Sequence, residues 1–144
     1  ACQNFGEMLT LDNINNLTGI TIGRVDLVGS MGLGRDEINK SPKVLDLCKD
    51  IFSKSKSKGF KTAMGGGISA EAFPVIQELN NNNLIDKYET RKVVFPASSV
   101  SFGKKSILKA VEFELLWLKS KRRYYSGIKQ EDEKRIEMIE QRLK

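Results

Sequence analysis

The 144-residue sequence contains no histidine. This absence excludes from the chain the Ser-His and Cys-His nucleophile pairs, the HExxH zinc site and the usual near-neutral base. Acid–base chemistry is therefore left to carboxylates, lysine, tyrosine, metal-bound water or residues from outside this chain.

Cysteine is scarce, and long apolar runs are missing. Cys2 and Cys48 are the only cysteines, and their wide separation fits two reduced thiols better than a disulfide framework or a four-ligand zinc site. No run approaches the roughly eighteen apolar residues of a membrane span, and the first residues do not resemble a signal peptide. We therefore expect a cytoplasmic protein without a membrane segment.

The formal net charge of +6 is unevenly distributed along the chain. Residues 104–144 hold 12 Lys/Arg and 7 Asp/Glu, whereas residues 1–103 hold 12 and 11. The cluster at 119–125 (KSKRRYY) is the single candidate for a nucleic-acid contact, since it interleaves basic and aromatic residues. We favour the interpretation that this cluster is a solvated helix end, and we do not expect a nucleic-acid partner.

Apolar periodicity predicts alternating strands and helices. Strands are predicted over 17–22, over 60–64 and within 88–95, where β-branched and aromatic residues are concentrated. A long helix is predicted over 104–125 and a charged one over 131–143, with an interruption at Ser126-Gly127.

Local signals define two further helices. Ser41 and Pro42 have the residue types of an N-cap and a first helical position, and Gly59 is placed to end that helix. Ser69 is predicted to cap the next helix, but Pro74 fits its fifth position poorly, so we expect a delayed start or a kink.

The order of elements predicts an α/β fold with a parallel sheet. The expected strand ends near Asp26, Gly65 and Phe95 are 39 and 30 residues apart, close to the repeat of roughly 250/8 residues in an eightfold barrel. We therefore predict the C-terminal part of a TIM (β/α)8 barrel with a helical extension. Residues 1–103 would form three βα units, and residues 104–144 would form helices packing on the barrel or on a partner subunit.

The site hypothesis follows from this fold, because the carboxyl ends of parallel strands carry the active site. Asp26 would lie there as a metal ligand, the alternative being a cap for a nearby loop amide. The run Gly65-Gly66-Gly67, leading to Ser69, could bind an anion or serve for close packing. Arg91-Lys92 is interpreted as a charge pair with Glu89.

The run ITIGRVDL at 20–27, followed by SMGL at 30–33, resembles the I-G-P-x-D-L-…-G signature of the HpcH/HpaI aldolase and citrate lyase β-subunit superfamily. The resemblance extends from about residue 4 to residue 123 and includes the triple glycine and ETRKVVF at 89–95. Members of this superfamily are Mg²⁺- or Mn²⁺-dependent TIM barrels that make or break carbon–carbon bonds next to a 2-oxo acid or thioester carbonyl.

The resemblance implies a metal-dependent carbon–carbon lyase or aldolase acting on a 2-oxo acid, present here as a C-terminal fragment. Asp26 would bind Mg²⁺ or Mn²⁺. The loop amides at Gly23 and Val25 would contact the substrate carboxylate, although Arg24 replaces the usual proline between them. Gly65, Gly66 and Gly67 would complete the substrate-binding set. The second metal-binding Glu and the catalytic residues are expected upstream of Ala1.

The alternative is a noncatalytic binding or assembly module in which the barrel remnant scaffolds the basic helices. Trp117 and the thin stripe of Ile136, Ile139 and Leu143 need a surface to cover. We therefore predict a homo-oligomer in which the C-terminal helices exchange between subunits.

Overall fold

The computed structural model describes residues 2–143, apart from the side chains of Gln3 and Leu143. The stripe position predicted for Leu143 thus lies outside the described residues. The protein consists of two compact units, and the boundary between them lies between Ala110 and Val111. This boundary is within the last helix, a short distance beyond the predicted boundary at 103. The first unit contains the sheet, and the second is the continuation of that helix.

Five α-helices and four strands make up the regular structure of the described residues. The helices are α1 (Phe5–Met8), α2 (Arg24–Ser30), α3 (Pro42–Ser57), α4 (Phe73–Asn81) and α5 (Lys104–Leu143), and the strands are β1 (Gly19–Gly23), β2 (Lys61–Gly65), β3 (Lys87–Glu89) and β4 (Val94–Pro96). Short 3-10 turns at Cys2–Asn4, Ile14–Asn16, Arg35–Glu37, Ala70–Ala72 and Ala97–Phe102 connect them.

The sheet is mixed and has the strand order β1-β2-β3-β4. β1 pairs with β2 and β2 with β3 in parallel, whereas β3 and β4 are antiparallel. The prediction of an all-parallel sheet from the C-terminal part of a TIM barrel is therefore wrong. The protein is instead a small four-stranded sheet followed by a long C-terminal helix.

The fold prediction failed at the segment predicted as a third strand, because this segment folds as a hairpin. The Thr90 amide donates to the Val93 carbonyl at 2.9 Å, and the Val93 amide donates to Thr90 Oγ1 at 3.1 Å. The Tyr88 and Phe95 rings stack with their centroids 4.9 Å apart. Since the chain reverses within four residues, the apolar residues after the turn form an antiparallel edge strand.

The predicted limits of α3 and the delayed start of α4 are confirmed, whereas the predicted cap at Ser69 is wrong, because Ala72 is the N-cap of α4 and Ser69 precedes a 3-10 turn. Helix α3 begins at Pro42 after Ser41, and Gly59, just beyond its end, has φ +79°. Helix α4 begins only at Phe73, after a 3-10 turn, which places Pro74 in the first helical turn. Proline is tolerated there because the amide it lacks would have no partner within the helix.

The predicted break at Ser126-Gly127 is wrong, because α5 continues through both residues. Ser126 Oγ donates to the Arg122 carbonyl at 2.8 Å, one helical turn earlier. The serine is thus accommodated inside the helix, and a single glycine weakens a helix by only about 1 kcal/mol. Within the first unit, α5 is anchored by Ile107 and Ala110, both buried.

Helix α3 packs against β1 and β2 through Val44, Cys48, Ile51 and Phe52, all buried. Both cysteines are free thiols, with Cys2 half-buried and Cys48 buried. Within residues 2–143, no helix combines the length and apolar character needed to cross a bilayer.

Asp86 connects α3 to the sheet. Its Oδ2 accepts from Lys56 Nζ at 2.7 Å and from the Thr62 amide at 2.7 Å. Burial favours the neutral carboxyl, but these hydrogen bonds outweigh it and lower the pKa of Asp86 below 3.8. Its charged form therefore stabilises the fold above pH 4, and this stabilisation is lost as the pH falls through the lowered pKa.

We expect Asp86→Asn to lower the free energy of unfolding of the first unit by about 1–2 kcal/mol at neutral pH. The difference from the wild type should shrink below pH 4, where the wild-type carboxyl also becomes neutral. Hydrogen exchange of the β2 amides measures this free energy of unfolding. Asp50→Asn is the control, because Asp50 pairs with Lys54 on an exposed helix surface and should contribute less than about 0.5 kcal/mol. Equal effects of the two substitutions would contradict the role of Asp86.

Candidate functional site

Three parallel strands end in one row, which we call the carboxyl edge (Gly23, Gly65 and Glu89). Gly23 of β1 pairs with Gly65 of β2. The register of β2 and β3, which pairs Met64 with Tyr88, places Glu89 beside Gly65. Glu89 Oε1 lies 3.2 Å from the position that a Cβ on Gly65 would occupy. The half-buried glutamate therefore fills the space that the glycine leaves.

Asp26 lies on the third residue of α2 and not at the end of a strand, because β1 ends at Gly23. The side chain is exposed. Its Oδ2 lies 3.1 Å from the position that a Cβ on Gly23 would occupy. Side chains of register partners in a parallel sheet project from the same face. Asp26 and Glu89 thus lie over neighbouring glycines on one face of the carboxyl edge.

A groove of about 480 Å³ adjoins Asp26, a volume within the range of small-molecule sites. It follows β1 along its whole length, and Phe5, Leu27 and Ile51 give it apolar walls. Asp26 and Ser30 contribute polar atoms. The groove therefore combines apolar surface with a carboxylate, as a site for a small polar substrate requires.

The acidic residues at the carboxyl edge fit a divalent cation as a partial ligand set. Among residues 2–143 there is no group of three or more His, Cys, Asp or Glu side chains that could hold a metal ion. A hard cation such as Mg²⁺ is commonly held by only one or two carboxylates, with water and substrate oxygens as its other ligands. Asp26 and Glu89 could supply those two carboxylates.

The triple glycine is used for close packing. Gly66 has φ +77°, and a Cβ there would lie 2.7 Å from the amide nitrogens of both Arg24 and Val25. Gly67 has φ +65°, and its carbonyl accepts from Arg24 Nη2 at 3.2 Å. This is the structural alternative that the sequence left open. Substrate contacts at Gly23, Val25 and the three glycines remain predictions.

The Arg24 side chain lies in an unexpected place. The sequence placed Arg24 in a substrate-binding loop, whereas its side chain is completely buried. Arg24 Nη1 donates to Asn39 Oδ1 at 2.9 Å and to the Ile38 carbonyl at 3.4 Å. The sequence signal that could have indicated this burial is an arginine inside the apolar run 20–28.

The charges around Arg24 follow from burial. Burial lowers the pKa of Arg24 to about 10, partly opposed by the neighbouring Cys48. Burial also raises the pKa of the Cys48 thiol to about 11, against the effect of Arg24. At neutral pH the Arg24 guanidinium is therefore charged and the Cys48 thiol is neutral.

The second unit presents the basic cluster on an exposed helix surface. Lys121 Nζ lies 5.3 Å from the centroid of the Trp117 ring and 5.7 Å from that of the Tyr125 ring. Such distances permit cation–π attraction. Tyr125 of the cluster and the neighbouring Trp117 thus interact with a lysine of their own helix.

No family model, no curated protein and no solved structure matches the chain. The superfamily resemblance described above therefore rests on the motifs alone.

We expect Gly66→Ala to lower the free energy of unfolding by at least about 2 kcal/mol, because φ is positive and the methyl group would meet backbone nitrogens. The control is Gly29→Ala inside α2, where a Cβ would meet nothing within 4 Å. That substitution should stabilise the protein by about 0.5–1 kcal/mol. Hydrogen exchange of the β1 and β2 amides reports both effects. A neutral Gly66→Ala would show that the close approach is unimportant.

Proposed function

We propose that the chain supplies Asp26 and Glu89 as ligands of Mg²⁺ or Mn²⁺ in a carbon–carbon lyase acting on a 2-oxo acid. The observation that carries the proposal is the position of both carboxylates over the Gly23–Gly65 pair, on one face of the carboxyl edge. The reaction class comes from the resemblance of segment 20–33 to the aldolase signature.

The cleavage of a 4-hydroxy-2-oxo acid explains why such ligands are useful. The 4-hydroxyl loses its proton to a base, the C3–C4 bond breaks to give an aldehyde, and the bonding electron pair passes to C3 as the enolate of the 2-oxo acid. A proton added at C3 completes the reaction. The bound cation would supply Lewis-acid stabilisation of the negative charge on the 2-oxo oxygen.

The residues of this chain would bind and orient the reactants. Asp26 and Glu89 would hold the cation at the carboxyl edge, and the apolar groove beside Asp26 would receive the carbon chain of the substrate. Because the sequence has no histidine, the base would be a carboxylate, a lysine, a metal-bound water or a group from another polypeptide.

Asp26→Asn and Glu89→Gln should each weaken Mn²⁺ binding by about tenfold, because each removes one charged oxygen ligand. Titration calorimetry measures the binding. Asp46→Asn is the matched control, since Asp46 is an exposed carboxylate of α3 that does not line the groove beside Asp26. Mn²⁺ affinity that is the same in Asp26→Asn as in the wild type would rule out Asp26 as a ligand.

Exchange of the methyl protons of pyruvate in D₂O, followed by NMR, tests the enolate chemistry itself. The proposal requires exchange that depends on both Mn²⁺ and Asp26. Mn²⁺ binding without such exchange would support the metal site and contradict lyase activity of this chain by itself.

We propose, as a second function, that α5 assembles two copies of the chain through an antiparallel coiled coil. This proposal develops the assembly alternative and rests on a different observation. Exposed apolar residues recur at three- and four-residue spacing at both ends of the second unit, namely Val111, Leu115, Leu118, Ile136 and Ile139. This spacing is that of a coiled-coil seam.

Polar residues in the middle of the seam define the orientation. The same spacing places Arg122, Tyr125, Lys129 and Asp132 between the two apolar ends. In a parallel pair, each of these charged residues would face a like charge. Like charges in contact oppose pairing, so the parallel arrangement is disfavoured.

An antiparallel pair centred on Gly127 gives complementary contacts in every layer. Arg122 then faces Asp132 of the second copy, and Tyr125 faces Lys129. Beyond them, Leu118 faces Ile136 of the second copy, and Leu115 faces Ile139. Each end of the seam therefore buries leucine against isoleucine, and the middle contains one pair of opposite charges and one tyrosine–lysine pair.

Arg122→Asp should weaken dimerisation by about tenfold or more, because it places aspartate against Asp132 of the second copy. Adding Asp132→Arg to this variant should restore the dimer by reversing the pair. Lys134→Asp is the control, since residue 134 lies outside the seam on the same exposed helix. Sedimentation equilibrium measures the association. A monomeric wild-type protein, or a double variant no better than Arg122→Asp, would contradict this arrangement.

A further inference from the structure

Arg24 is a buried cation whose neighbours do not neutralise its charge. Its residue exposure is 0%, and its guanidinium donates to three neutral acceptors, the Ile38 and Gly67 carbonyls and Asn39 Oδ1. Arg24 Nε is buried and has no hydrogen-bond partner among the residues that the structure describes. Burying an arginine without an anion is unfavourable.

The same side chain lines a cavity of about 150 Å³. A cavity of that size accommodates a benzene-sized molecule in other proteins. Asn39, Lys40, Ser41 and Cys48 also line the cavity, and no aspartate or glutamate does. The other half of the wall is apolar, namely Ile38, Pro42, Val44, Leu45 and Val75. The polar part of the wall therefore carries only positive or neutral groups.

The N-terminus of α3 adds to this positive character. Ser41 and Pro42, the N-cap and first residue of this 16-residue helix, both line the cavity. Ser41 makes no capping hydrogen bond with its side chain. A helix N-terminus favours an anion because its amides and the helix dipole are oriented towards it.

Cys48 does not act as the missing anion. With a pKa raised to about 11 by burial, its thiol is neutral at physiological pH. The charge of Arg24 is therefore left for a ligand to neutralise.

We propose that this cavity binds a small oxyanion, a carboxylate or phosphate of no more than about benzene size. Arg24 Nε–H would donate to one oxygen, Lys40 would supply a second positive charge, and the Ser41 hydroxyl would donate to another oxygen. The bidentate geometry of guanidinium suits both anion classes.

The oxyanion cavity is separate from the groove beside Asp26. The two have no lining residue in common, and Arg24 is buried on α2 whereas Asp26 is exposed. The inference therefore does not depend on the proposed lyase activity.

NMR of the arginine Nε–H groups in the full-length chain tests this inference directly. The Arg24 signal is identified by its absence from Arg24→Lys. Inorganic phosphate and acetate are titrated separately, with sodium chloride at matched ionic strength as the control. We expect a saturable shift of the Arg24 signal with phosphate, acetate or both, and none with chloride. The anion that binds more tightly identifies the ligand class.

Two lysine variants keep the test decisive if substitution of Arg24 impairs folding. Lys40→Gln should weaken oxyanion binding by about tenfold. Lys43→Gln should leave binding within about twofold, because Lys43 is an exposed lysine of α3 that does not line the cavity. The absence of a saturable shift with both oxyanions would overturn the proposal. So would equal effects of the two lysine substitutions.

Discussion

The arrangement of the first unit depends on the close approach of Gly66 to the first turn of α2. Only a residue without a side chain can take the positive φ of this position and still lie against two backbone amide nitrogens. The contact holds the end of β2 against the start of α2. As a result the Gly67 carbonyl reaches the Arg24 guanidinium, and the ends of β1 and β2 remain level.

This constraint gives the first turn of α2 two chemically opposite sides. Arg24 is directed into the protein, where it is buried among neutral acceptors, while Asp26 is exposed at the carboxyl edge with Glu89 nearby. One side is the proposed site of an anion and the other the proposed site of a hard cation. The glycines that follow β2 therefore have a physical role, because a side chain at Gly66 would fill the space between β2 and the first turn of α2.

The stability of the second unit depends on packing and not on a close backbone contact. A helix exposed along its apolar residues gains little from its own hydrogen bonds, and most helical stability in proteins comes from packing. The polar middle of its seam gives specificity to such packing, since it favours one direction and one register over the alternatives. Assembly through α5 and chemistry at the carboxyl edge are thus supported by separate observations.

Prediction from the sequence succeeded for the local signals around α3 and α4, whereas the break predicted at Ser126-Gly127 is absent. Ser41-Pro42 and Gly59 mark the limits of α3, and Pro74 delays α4, because proline fixes its own φ and glycine readily takes the positive φ found just beyond the helix end. It failed for the third strand, where the residues 93–95 resembled part of a parallel sheet but follow a reversal at Thr90. It also missed Glu89 as a neighbour of Gly65, since their contact depends on the register between two strands.

The sequence by itself determined the limits of α3, the absence of histidine chemistry and the position of the glycine-rich stretches. Only the tertiary structure decided that the sheet is mixed, that Arg24 is buried and that Asp26 shares a face with Glu89. The physical reason is the range of the forces involved. Caps and turns act over a few neighbouring residues, whereas strand direction and the burial of a charge depend on contacts between segments distant in sequence.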